Sequence, residues 1–86
     1  MVDKFHTDII NKLTEEQKDK ILNSVAKNIE LEPQNKYDKQ SLTYLFKMWH
    51  VLFPDVRQSM RCAGCRKAVA KFFEDISQSI QELKYG

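Results

Sequence analysis

Apolar residues recur at three- and four-residue steps along most of the chain, the repeat of an amphipathic α-helix. The longest such run is Ser59 to Leu83, where Cys62, Cys65, Val69, Phe72, Ile76, Ile80 and Leu83 follow one another at steps of 3, 4, 3, 4, 4 and 3. That spacing predicts a long C-terminal helix with Ser59 as its N-cap and both cysteines on the inward stripe. Near the start, Val2, Phe5, Ile9 and Leu13, widened by Ile10, predict a short helix from about Lys4 to Leu13 with Asp3 as cap. Thr14-Glu15-Glu16-Gln17 then spells a capping box with two acids in the first turn, which starts a second helix running to about Glu30. The cap argues against one continuous helix through Thr14. The second stripe is Ile21 or Leu22, Val25 and Ile29. Leu31 to Asn35 ends the helix, because the residue before Pro33 is pushed out of the α region. Asp38 or Ser41 caps a third helix, whose face is Leu42, Leu45, Phe46, Trp49, Leu52 and Phe53, and Pro54 stops it.

No segment alternates with the period of two that marks a half-buried strand. The expected fold is all-α: a small bundle of three to four helices over a single domain, 1–86, with a long C-terminal helix. Trp49, Phe53, Phe72 and Phe73 are expected at its aromatic centre. Two glycines and two prolines leave little material for hairpins. A chain of 86 residues buries only about 60% of its unfolded surface, so the core is small. Nothing approaches the roughly 18 consecutive apolar residues of a membrane span, and the N-terminus lacks the apolar core of a signal peptide. Two cysteines three apart are no disulfide framework, so a reducing cytoplasm is the expected setting.

The pair Cys62-Ala63-Gly64-Cys65 fits three chemistries. Two thiolates suit a soft cation; with His50 they make three ligands for zinc, and His6 or a partner chain would have to supply a fourth. A thiol at a helix N-terminus near Arg61 and Arg66 is acidified and redox-active, although thioredoxin-like enzymes reach that placement through a sheet absent here. Cysteine also packs as a small buried hydrophobe, and the stripe favours that use, with no cofactor. Met60-Arg61-Cys62-Ala63-Gly64-Cys65, followed by Val69, resembles the M-x-C-x-x-C motif of heavy-metal-associated copper chaperone domains. That resemblance implies Cys62 and Cys65 as metal ligands; the chain departs from the family in having no strand before the motif.

Charge is polarised along the last helix although the net value is only +2. Residues 56–73 hold five cations, Arg57, Arg61, Arg66, Lys67 and Lys71, and no acid. Positive charge at a helix start opposes the dipole, so helix stability does not explain it. Docking on an acidic protein surface is the leading use, with phosphate contact to nucleic acid as the alternative. The bland explanation is a solvated face balanced by Glu15, Glu16, Asp19 and Glu30 of the second helix. The Pro54–Gln58 connection is longer than a helix-turn-helix turn and lacks its glycine.

No phosphate-binding glycine loop or paired carboxylate site is present, nothing orients a cysteine with His50 for nucleophilic chemistry, and His6 reads as a surface residue, so an enzyme is not expected. Trp49-x-x-x-Phe53-Pro54, Gln58, then Cys62-x-x-Cys65-Arg66 and Val69 resemble small helical proteins of tailed bacteriophages. The resemblance implies a phage accessory protein or minor virion component bound to a viral structural protein or a host protein. It would reside in the infected cytoplasm or the virion. The pattern leaves a homo-oligomer open.

Overall fold

The computed structural model describes residues 3–34 and 36–85. Among them are four α-helices and no strand: α1 (Lys4–Asn11), α2 (Glu15–Leu31), α3 (Lys39–Leu52) and α4 (Ala63–Tyr85). This is the all-α bundle with a long final helix that the periodicity predicts. Val2 of the first stripe and Asn35 of the expected turn lie outside the described residues.

Local side-chain chemistry sets three of the helix starts. The Asp3 carboxylate accepts from the Phe5 N–H at 2.8 Å. Thr14 and Gln17 exchange hydrogen bonds, Gln17 N–H to Thr14 Oγ1 at 3.1 Å and Thr14 N–H to Gln17 Oε1 at 2.9 Å. That reciprocal pair satisfies donors the helix start would otherwise leave unmet, and it separates α1 from α2. Asp38 caps α3, accepting from the Ser41 N–H at 3.0 Å and from the Ser41 hydroxyl. Pro33 does not break the chain away from α2; the backbone tightens into a 3-10 turn, Glu32–Gln34. Asn28 then ties the next loop to α2, accepting from Asp38 N–H at 3.2 Å while donating to Ser24 O.

Helices α2, α3 and α4 pack on one another, and α1 lies along α4. At 1.5 Å per residue α4 is roughly 33 Å long, the full 32 Å long dimension of the molecule. It therefore serves as the spine. Ile21, Leu42, Leu45, Val69, Phe73 and Ile76 are fully enclosed. Trp49 packs on Phe53 and Phe72 with ring centroids 4.8 and 5.3 Å away, and Phe72 meets Phe73 edge-on at 5.0 Å.

The stripe on α4 differs from the periodic reading at both ends. Cys62 is exposed, because the backbone before Ala63 is not helical and the 3.6-residue phase does not reach it. Leu83 is 51% exposed. In the middle, Phe73 is fully buried while Phe72 and Cys65 are half-buried against the core edge. Ile29 is likewise exposed, and Met48, outside the expected face of α3, is buried.

Candidate functional site

The ten-residue connection from Phe53 to Cys62 carries most of the candidate chemistry. Pro54 removes a donor and turns the chain, and Val56 N–H closes the turn on Phe53 O at 3.1 Å. Three side chains of α3 then hold the segment. Trp49 Nε1 donates to Val56 O at 2.8 Å, and His50 Nε2 accepts from Gln58 N–H at 3.1 Å. Thr43 Oγ1 donates to the Met60 sulfur at 3.5 Å. From the other side, the Arg66 guanidinium of α4 donates to Met60 O. His50, the third candidate metal ligand, uses Nε2 as an acceptor that brackets the loop.

Ser59 is not the N-cap of α4. Its carbonyl accepts from Cys62 N–H at 3.1 Å and its hydroxyl from Arg61 N–H at 3.2 Å, which builds a turn ahead of the helix. Cys62 directly precedes the helix, and its sulfur accepts from Cys65 N–H at 3.3 Å, where a serine or threonine oxygen ordinarily caps. The neighbouring Cys65 side chain, then this N–H, and further the Gly64 N–H and the Arg66 charge, hold the Cys62 thiol below its ordinary pKa. Cys65 sits half-buried and lines a shallow hollow with His50, Pro54, Arg57, Gln58 and Ser59. Cys62, Cys65 and His50 are not gathered as metal ligands, and among the described residues no three His, Cys, Asp or Glu side chains converge on a point.

The five cations divide into two sets. Arg66 is half-buried, bonded to Met60 O, and lies over the Tyr37 ring at 5.3 Å. Lys71 pairs with Asp75 one turn on, at 3.3 Å. Arg57, Arg61 and Lys67 are exposed and have no ion-pair partner among the described residues. Of the four balancing acids expected from α2, Glu15 pairs with Lys18 at 3.0 Å and Asp19 with Lys84 at 3.6 Å, while Glu16 and Glu30 have no ion pair with the five cations among the described residues. Exposed Val56 precedes Arg57 in the loop.

Two contacts have no counterpart in the sequence reading. His6, expected at the surface, is half-buried with Nδ1 3.1 Å from the Ser79 hydroxyl, which links α1 to α4. A polar hollow between α2 and α3 is lined by Lys20, Asn23, Lys27 and Tyr44, and burial pushes the Tyr44 hydroxyl pKa up. A histidine four residues from an isoleucine gives no sign of a partner 73 positions away, so no local signal marks the first. No helix among the described residues is long and apolar enough to cross a membrane. In comparisons with known proteins, no family model matches the chain, and no curated protein or solved structure matches it significantly.

Proposed function

We propose that this chain is a non-enzymatic interaction protein that docks, without a cofactor, on an acidic surface of a larger protein through the basic face at the α3–α4 junction. One observation carries the reading. Arg57 and Arg61 in the loop before α4, and Lys67 in its second turn, are exposed without ion-pair partners among the described residues, toward the helix end whose dipole does not favour positive charge. Such charges do nothing for helix stability, which supports a use outside the chain. Arginine suits bidentate pairing with carboxylates, and Val56 adds apolar contact beside it. Arg66 and Lys71, already engaged internally, would contribute less. The resemblance of the Trp49–Val69 segment to small phage proteins supports a finer proposal: an accessory or minor virion component, in the infected cytoplasm or the particle, bound to a viral structural or host protein.

The test is affinity capture from native or infected lysate, then a binding titration with the purified captured polypeptide. The Arg57→Glu/Arg61→Glu/Lys67→Glu variant runs alongside. The expected loss of affinity is at least about tenfold, since like charge placed against an acidic surface costs several kcal/mol. Undiminished binding by the variant overturns the reading. Random-sequence duplex DNA is titrated in parallel. A log–log salt slope near −3, at about 0.9 per phosphate for three cations, would assign the face to nucleic acid instead.

A further inference from the structure

We infer that Cys62 and Cys65 are a thiol–disulfide exchange pair, Cys62 attacking and Cys65 resolving, whose substrate is an anionic disulfide. The exchange chemistry rests on the two sulfurs and does not need the docking proposal; only the anionic character of the substrate draws on the same cations, Arg57, Arg61 and Lys67. In redox proteins built on a sheet, a strand delivers the first cysteine to the start of a helix. Here the loop tethers from Trp49, His50, Thr43 and Arg66 do the same by other means, fixing the segment that ends at Cys62.

The two sulfurs are unequally placed. Cys62 is exposed, and Ala63 and Gly64 beside it are exposed and small, so nothing screens its sulfur. Cys65 N–H points at the Cys62 sulfur from 3.3 Å, ready to stabilise a thiolate. Cys65 is half-buried against the core edge and is the poorer target for an outside reagent. Cys62 flanks the helix, its carbonyl accepting from Arg66 N–H at 3.0 Å and its sulfur from Cys65 N–H at 3.3 Å, which holds the two cysteines within reach of each other. The exposed cations Arg57, Arg61 and Lys67, without ion-pair partners among the described residues, favour a substrate carrying carboxylates.

The chemistry balances without a cofactor. The Cys62 thiolate attacks one sulfur of the external disulfide; that S–S bond breaks, and its electron pair leaves with a thiolate that takes up the proton Cys62 gave. Cys65 then loses its proton, its sulfur attacks Cys62 Sγ, and the second external thiolate departs and is protonated. The external disulfide is reduced to two thiols and the chain's two thiols are oxidised to one Cys62–Cys65 disulfide.

Oxidised glutathione is the probe, used on the full chain at neutral pH, with free thiols trapped by N-ethylmaleimide and the products mapped by mass spectrometry. Wild type should gain an internal disulfide and retain no glutathione. Cys65→Ser should hold a stable adduct on Cys62, and Cys62→Ser should react at least about tenfold more slowly. Limiting iodoacetamide on the wild-type chain, which needs no variant to fold, should label Cys62 first, with a pH midpoint below the ordinary 8.5 or so of a free thiol. Glutathione retained on wild type, both thiols left free, or equal labelling of the two cysteines overturns the inference.

Discussion

His50 shows how one side chain can do work that its type does not announce. Its ring bonds to a backbone N–H eight residues on, and with Trp49 it fixes where the loop before α4 runs. Removing the acceptor should loosen the loop and leave the bundle standing, since a single exposed hydrogen bond contributes about 0.5–1.5 kcal/mol. In His50→Ala the Gln58 amide should exchange with solvent up to about tenfold faster. The core amides of Leu45 and Phe73 should keep wild-type protection. Hydrogen exchange followed by NMR checks this; an unchanged Gln58 rate would mean the bracket is idle. His6 does comparable work between α1 and α4, with Nδ1 3.1 Å from the Ser79 hydroxyl.

At the scale of an element, the start of α3 depends on an ionised group. Hydrogen bonds from the Ser41 hydroxyl and then the Ser41 N–H hold the Asp38 carboxyl below its ordinary pKa. A depressed folded pKa makes the carboxylate stabilising at all pH values above the unfolded one, about 3.9. That contribution is lost as pH falls from there through the folded value. Thermal unfolding of wild type and Asp38→Ala should therefore differ in midpoint at pH 7 and converge as the pH falls below about 4. Glu15, held low chiefly by its hydrogen bond with Lys18, responds on the same side of neutrality. The difference between the two chains, not the wild-type curve alone, isolates Asp38. A gap that stayed constant with pH would show that the cap acts without its charge.

Across the whole molecule, stability rests on a few side chains at the meeting of α2, α3 and α4. Phe73 is wholly enclosed, whereas Leu83 on the same helix is 51% exposed although the periodic stripe includes both its neighbours, Ile76 and Ile80. Phe73→Ala should cost about 3–5 kcal/mol, much of the roughly 5–15 kcal/mol available to a small domain. Leu83→Ala should stay within about 0.5 kcal/mol. Urea unfolding of the pair measures both. Similar losses in the two variants would mean that the end of α4 is covered in solution, as self-association or docking would do.

The amino-acid order alone determined the four helices and the caps of the first three, because those depend on contacts between residues two to four apart; the start of α4, expected at Ser59, was not among them. Asp3, Thr14 with Gln17, and Asp38 with Ser41 all bond within that reach, and the position of the five cations is likewise visible in one dimension. The facing of α4 was only half legible: the 3.6-residue phase finds Val69, Ile76 and Ile80. It cannot choose between Phe72 and Phe73, and it fails at Cys62, where the chain is no longer a helix. Which cations stay unpaired, where His6 and His50 point, and how the two cysteines divide into an open and a sheltered sulfur were decided by the tertiary structure alone. Each depends on what neighbouring elements bring alongside, and a local pattern holds no record of groups that meet only when the chain has folded.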